Sequence, residues 1–333
     1  MKLTFVASHF CIRAVKQALA LRPRGFKING IGFKRPQFFE NLDLFVRCAH
    51  NKHLDNAVKL LEPHTDVWYV HTEPYNLVWK IREHSKKPIL LDMHDSMQWR
   101  TPNKHGWTSA EERATMPLVD GFVVPSQKCK QLTPVNKPMI VLPPYVNEQF
   151  YQYHCLQWLG GLVYEGRADK RSQKSFMDYC KYHDLAKKCL SLNLPFYLYS
   201  CWNDEAHIAE YKNALTMPTE SYQPLLKKLS SHDWGLCGNI GKHREWNLAM
   251  PNKLFEYMAA GIPIVAMNAS EVSKFIKKYK VGITVKSIEE LMERWDEREE
   301  CQSNVLKIRH KFTMENNIGP LAALLRDLLH RAK

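Results

Sequence analysis

Residues 251–265, read PNKLFEYMAAGIPIV, restrict the fold of this chain more than any other stretch. Pro251 suits the first turn of a helix, where its missing N–H costs nothing, and Leu254, Phe255, Met258 and Ala259 then form an apolar stripe at helical spacing. Gly261 stops that helix and Pro263–Val265 reads as a short buried strand, so the segment is a helix feeding a parallel sheet. Glu256 lies beside the stripe, on a face poorly suited to a charge. A carboxylate held there can grip two neighbouring hydroxyls, and the positive helix end at Pro251–Lys253 favours an anion.

The same alternation runs through the chain. Strands are expected at residues 3–7, 25–33 (GFKINGIGF), Val67–Val70, from Pro88 (PILLDMHD), Gly121–Val124 and Met139–Leu142. Helices are expected at Ile12–Leu21, Asn76–His84, Ala110–Met116 and Ser126–Leu132. The prolines and aromatics of VLPPYVNEQFYQYHCLQW break the rhythm and place a domain junction within 143–158. A second series follows, with a strand at Gly161–Glu165, a helix at Ser172–Leu190 and a strand at Phe196–Tyr199. From Glu289 onward the pattern is helical, and EELMERWDEREE reads as a solvated helix face. A chain of 333 residues with 45% hydrophobic content suffices for two α/β domains with doubly wound parallel sheets.

Composition narrows the function classes. No run of about eighteen apolar residues exists, and MKLTFVASHFCIRAVK is too polar for a signal peptide, so a cytoplasmic protein is expected. Nine cysteines without a C-x-x-C pair fit reduced thiols rather than a disulfide frame or zinc site, and the histidines of HNKH lack a third ligand. No structural metal is expected. No two aspartates are separated by one residue, which leaves no D-x-D pair to hold a divalent ion on a diphosphate. The net charge of +13 is uneven: Arg13, Lys16, Arg22, Arg24, Lys27, Lys34, Arg35, Arg47, Lys52 and Lys59 crowd the first sixty residues. Such a surface attracts nucleic acid, acidic lipid headgroups or phosphorylated acceptors, or it merely keeps the protein soluble.

The spacing P-x-K-x-x-E-x-M-A-x-G-x-P, complete in Pro251, Lys253, Glu256, Met258, Ala259, Gly261 and Pro263, resembles the C-terminal signature of the retaining GT-B glycosyltransferases. Those are the family 4-like enzymes, or glycosyl transferases group 1. The resemblance implies a GT-B fold, two facing Rossmann-like doubly wound parallel-sheet domains with an interdomain cleft. On that template residues 1–145 form a basic acceptor-side domain and 158–315 the nucleotide-sugar domain. The C-terminal helix, 316–333, packs back on the first domain.

The resemblance also assigns residues. Glu256 holds the donor ribose, while Pro251, Asn252, Lys253 and Leu254 approach the diphosphate. The stretch LVYEGRADKRSQK resembles a G-R…K element, in which Gly166, Arg167 and Lys174 meet the phosphates, with Lys170 competing for the lysine's part. Alone, Arg167 and Lys174 would read as surface charges. His94, after a buried strand, matches a histidine over the donor sugar, flanked by Asp92 and Asp95; an ordinary structural histidine is its rival. The catalytic candidates are therefore His94, Arg167 and Lys174. Asp120 and Ser126 in VDGFVVPSQ are architectural.

Two departures stand out. Many members carry a glutamate eight residues before the one at Glu256, where this chain has Leu248, so Asn247 or the GNIGKHRE loop is expected to serve the sugar. The turn ASHFCIRA lacks a Gly-rich loop, leaving Ser8 or His9 at the strand end. The expected activity is sugar transfer from a nucleotide diphosphate donor, UDP- or GDP-linked, to an acceptor hydroxyl, with retention and with neither metal nor cofactor. A surface glycan or glycolipid is the expected acceptor, with the protein peripheral on the inner membrane face and no obligate protein partner. The alternatives are a phage-type transferase acting on hydroxymethylated DNA, with Trp99 and Trp107 assisting a flipped base, and a non-catalytic nucleotide-sugar-binding module.

Overall fold

The computed structural model describes the chain except residues 9, 35–39, 41, 51–52, 72–75, 95–108, 153–156, 170–179, 201–203, 219, 242, 249 and 333. Its contacts divide it into two units, Met1–Asn147 with Met314–Lys333, and Glu148–Thr313. The boundary after Asn147 lies inside the stretch 143–158, and the aromatic segment that follows it belongs to the second unit.

The first unit is a seven-stranded parallel sheet of β1 (Lys2–Val6), β2 (Lys27–Gly32), β3 (Leu44–Arg47), β4 (Val67–His71), β5 (Ile89–Asp92), β6 (Gly121–Val124) and β7 (Met139–Val141). Their order is β3-β2-β1-β4-β5-β6-β7. The helices Ile12–Leu21 and Asn76–His84 begin and end where the apolar spacing puts them. Ser126 caps the helix Gln127–Leu132 by accepting from the Cys129 N–H. The sequence pattern names no element between residues 33 and 67, yet β3 and the helix Leu54–Leu61 lie there. The last helix, Gly319–Arg331, buries Leu321, Ala322, Leu325 and Leu328 in one core with Leu3, Phe5, Val67 and Leu90. A helix from the end of the chain therefore completes the hydrophobic layer of the first sheet.

The second unit holds β8 (Leu162–Gly166), β9 (Phe196–Ser200), β10 (Leu215–Met217), β11 (Trp234–Gly238), β12 (Ile264–Met267) and β13 (Gly282–Val285), all parallel, in the order β10-β9-β8-β11-β12-β13. Counted within the unit this is 3-2-1-4-5-6, the doubly wound Rossmann order. The expected Ser172–Leu190 helix is broken at Lys181 and Tyr182, which are not helical; a helix runs His183–Ser191, and residues 172–179 lie outside the described residues. Tyr182 is instead buried against Tyr164, ring centroids 4.0 Å apart, which draws the chain onto the sheet before the helix begins. Arg294 and Thr313 interrupt the terminal helical stretch.

In both units the strand order reverses beside the first strand, between β1 and β4 and between β8 and β11. Open parallel sheets bind ligands at the carboxyl ends of the strands at that point. In the second unit both strands flanking the reversal end in glycine, Gly166 at φ 117° and Gly238 at φ 116°. A Cβ on Gly238 would sit 1.8 Å from the Met267 carbonyl oxygen, so no other residue fits there. No helix among the described residues is long and apolar enough to cross a membrane.

Candidate nucleotide-sugar site

In the second unit the site is built on the helix Asn252–Ala260, preceded by Pro251 as its N-cap and ended by Gly261 in the left-handed conformation at φ 81°. Arg309 is buried and donates to the Ala259 carbonyl at 3.0 Å, satisfying the helix's last turn with a cation. Tyr257 locks the other side. Its ring lies over Gly235, where a Cβ would come within 2.3 Å, and its hydroxyl accepts from the Glu165 N–H at 3.2 Å beside the carbonyls of Val163 and Leu236. That hydroxyl ties the helix to β8 and β11 across the point of reversal.

Consequently Lys253 reaches the end of β8. Its Nζ is 3.6 Å from where a Cβ on Gly166 would stand and lies over two aromatic rings, 5.1 Å from the Tyr164 centroid and 5.2 Å from that of Trp246. Aromatic faces hold an ammonium without neutralising it, which leaves the charge available to an anion. One turn along, Glu256 is only 3% exposed. Glu165 is buried as well, and the two carboxylates share a surrounding: burial first, then the charge of Glu256 and, less, of Glu165 push the Tyr222 hydroxyl well above the usual range. Burial likewise raises the Cys237 thiol, with Lys253 opposing and both glutamates adding to the rise.

Several candidates sit less favourably. Arg167, at the end of β8, is 37% exposed and donates to the buried Asp169 at 2.6 Å, so part of its charge is engaged. Leu254 is wholly buried and its N–H points to the Pro251 carbonyl at 3.3 Å, so its side chain cannot touch a donor. Asn247 is exposed and its amide donates to the His243 carbonyl at 3.3 Å, on its own short helix. In the GNIGKHRE loop, Asn239 is buried and donates to the Lys181 carbonyl at 2.9 Å. Lys170 and Lys174 lie outside the described residues, as do His9, Asp95, Trp99 and Trp107.

The first unit carries a second polar cluster where its own strand order reverses. Asp92, fully buried at the end of β5, accepts from Arg13 Nε at 3.0 and 2.9 Å, from Gln17 Nε2 at 2.8 Å and from the Tyr69 hydroxyl at 3.2 Å. His94 Nδ1 is 3.2 Å from the same carboxylate, and its Nε2 is 3.7 Å from Cys11 Sγ. Burial opposes ionisation of Asp92, but Arg13 and then His94 outweigh it and hold the carboxyl well below the usual range. Burial would lower the pKa of His94; the neighbouring Cys11 sulfur and Asp92 instead raise it to about 9. His71 at the end of β4 is the opposite case, pushed down to about 3 by burial.

Arg13 and Lys16, counted in the sequence among the basic surface residues, are therefore internal. Arg13 is spent on Asp92 and Lys16 Nζ donates to the Pro144 carbonyl at 3.4 Å. Sequence reasoning also missed Cys11, Gln17 and Tyr69, which come from two elements, the helix Ile12–Leu21 with its N-cap and β4, and carry no shared motif. Among the described residues the three ligand-type side chains close enough to share an ion are Asp55, Glu83 and His84, within 4.8 Å. The Lys80 ammonium already pairs with two of them, at 3.4 Å to Asp55 and 2.7 Å to Glu83.

Comparison with known proteins follows the same lines. HepE from Anabaena, solved in complex with UDP, superposes with a TM-score of 0.70 at 12% identity, covering 98% of this chain and 100% of that one. The trehalose 6-phosphate synthase of Burkholderia multivorans gives 0.64 at 11% identity over 100% and 99%. An alpha-glucosyltransferase in complex with UDP-glucose and DNA containing an abasic site gives 0.59 at 11% identity over 98% and 99%. The architecture is that of the GT-B glycosyltransferases. Within it, residues 187–316 match the C-terminal domain of the Glucosyltransferase 3-like family. No curated protein sequence matches the chain.

Proposed function

We propose that the protein transfers a sugar from a nucleotide diphosphate donor, UDP- or GDP-linked, to an acceptor hydroxyl, with retention and without a metal or other cofactor. The observation that carries this reading is the convergence of Lys253 on Gly166 with buried Glu256 one helical turn away. An ammonium at the start of a helix and a bare glycine at a strand end suit a diphosphate, and a buried carboxylate suits the paired hydroxyls of a ribose.

Breaking the anomeric bond builds charge on the departing nucleoside diphosphate. Lys253, the helix end and the exposed part of Arg167 would stabilise that charge in this reading, a contribution typically of a few kcal/mol. Acceptor attack on the side of the leaving group needs orientation rather than a protein nucleophile. Kept protonated by Cys11 and Asp92, His94 would donate a hydrogen bond to the sugar in this reading. Buried Glu165, on β8, would take the part of the carboxylate that Leu248 replaces in this reading.

The preferred acceptor is a surface glycan or glycolipid, the protein lying peripherally on an anionic inner membrane face. Hydroxymethylated DNA is the second reading. It is favoured by the excess of basic over acidic side chains in the N-terminal half and by the fold likeness to the DNA-bound alpha-glucosyltransferase. Calorimetry with a panel of UDP-, GDP- and ADP-sugars tests the donor half: absence of both binding and hydrolysis for all of them would overturn the proposal and leave a protein with the fold alone. Sugar transfer to hydroxymethylated DNA, with binding that falls steeply as salt is added, would select the second acceptor. Binding only to vesicles rich in acidic lipid would select the first.

A further inference from the structure

Cys11 stands apart from the other described cysteines. Cys48, Cys129, Cys180, Cys189, Cys237 and Cys301 are buried, whereas Cys11 is partly exposed and is the N-cap of the ten-residue helix Ile12–Leu21. Its Sγ faces His94 Nε2 at 3.7 Å, His94 Nδ1 faces Asp92 at 3.2 Å, and Asp92 is immobilised by both bonds from Arg13 Nε and by Gln17. The imidazole therefore cannot turn away from the sulfur without giving up the carboxylate. Cysteine, histidine and aspartate in this sequence of contacts are the arrangement that generates a nucleophilic thiolate beside its own proton donor.

We propose that Cys11 is a peroxide-reactive thiol whose oxidation is assisted by His94. The thiolate attacks one oxygen of hydrogen peroxide, an S–O bond forms as the O–O bond breaks, and the departing hydroxide takes the proton of His94 Nε2 and leaves as water. The product is a sulfenic acid facing a neutral imidazole. Charges around the sulfur agree with this assignment: the imidazolium of His94 lowers the thiol's pKa against the effect of burial, with the more distant Asp92 opposing. Among the described residues, the other titratable groups facing the pair are Arg13 from the same helix and Tyr69 and His71 from β4, and burial holds the last two neutral. Oxidation removes the negative partner that holds His94 protonated, so it also lowers the proton affinity of the histidine. The inference stands on the first unit alone and does not depend on the sugar-transfer reading.

The test uses the whole protein at pH 7 with limiting iodoacetamide, each of the nine cysteines being followed by peptide mass spectrometry. Cys11 should be alkylated several-fold faster than any other, Cys155 and Cys201 included, and its rate should reach half its plateau at a pH below the ordinary thiol range of about 8.5. His94→Gln should slow Cys11 by on the order of fivefold at pH 7, the thiolate fraction falling faster than the intrinsic nucleophilicity rises. After brief exposure to hydrogen peroxide, dimedone should label Cys11 in the wild type and much less in His94→Gln. Uniform alkylation across the cysteines, an ordinary thiol pH profile in the wild type, or a Cys11 rate indifferent to His94→Gln with the circular dichroism unchanged would overturn the assignment. The pH profile needs no variant, so the inference can fail even if His94→Gln does not fold.

Discussion

Asp92 and Glu256 occupy comparable places, each a buried carboxylate serving the carboxyl end of a parallel sheet, yet their surroundings differ in kind. Asp92 meets a guanidinium, an amide, a phenol and an imidazolium, so its charge is answered within the protein. Glu256 shares its surroundings with a second carboxylate, Glu165, and with Tyr222, while the nearby Lys253 rests on the rings of Tyr164 and Trp246. A carboxylate held by four partners is fixed in place; Glu256, bonded to the Tyr222 hydroxyl beside a second carboxylate, sits in a more acidic surrounding. On the proposed function, the first unit's buried charge serves rigidity and the second unit's serves recognition.

The sharpest way to break this contrast is to remove the answering charge. Arg13→Met should destabilise the first unit by about 3 kcal/mol in urea unfolding, because buried Asp92 loses its guanidinium partner and keeps only Gln17, Tyr69 and His94. Adding Asp92→Asn should recover part of the loss, and the nucleotide affinity of the folded protein should not change. A loss confined to about 1 kcal/mol would mean that Asp92 is not held as described.

Glu256→Ala should do the reverse. Loss of two charge-assisted hydrogen bonds of about 1.5 kcal/mol each predicts a fall in donor affinity on the order of a hundredfold, read by calorimetry, with a loss of stability of about 1 kcal/mol from the bond to Tyr222. Unfolding with unaltered affinity would make Glu256 structural and remove the contrast.

Acid should weaken both units, since each buries a neutral histidine. His71 is lowered to about 3 and His232, near the Gly160 carbonyl and Tyr199, to about 4. Between the unfolded value near 6.5 and those folded values the unfolded chain binds more protons, so stability falls as pH drops below 6.5. From pH 7 to pH 5 the loss is about 2 kcal/mol per histidine, measurable as a lower urea midpoint. His71→Phe should flatten the first unit's share alone. His94 has the opposite sign: its stabilising contribution is complete below 6.5 and lost as pH rises through about 9.

The smallest expected effect is that of Lys253→Met, a roughly tenfold weaker affinity for nucleoside diphosphate with little change for the nucleoside, and a shallower salt dependence. Equal weakening of both ligands would move Lys253 away from the phosphates.

How much of this was legible in the sequence depends on the range of the interaction that decides each feature. The helices Ile12–Leu21 and Asn76–His84 and the motif helix with its glycine stop follow from spacing between residues three and four apart, and all are where the pattern puts them. β3 escaped because it is an edge strand, half exposed, without the apolar run of a buried one. The break at Tyr182 before the helix His183–Ser191 escaped because the ring of Tyr164, on β8, claims Tyr182. Basic residues counted alike in sequence divided in the fold, Arg13 and Lys16 going inside and others such as Arg24 remaining at the surface.

By itself, then, the sequence determined the alternation of strands and helices, the two-domain α/β class and the register of Pro251, Lys253 and Glu256, since local periodicity and one contiguous motif carry all three. Only the tertiary structure decided that Tyr257 pins that helix across β8 and β11, that Glu165 joins Glu256 in one buried site, and that Cys11, Arg13 and Asp92 meet around His94. Those contacts join residues up to 94 positions apart. Parallel-sheet topology brings them together, and no spacing along the chain encodes them.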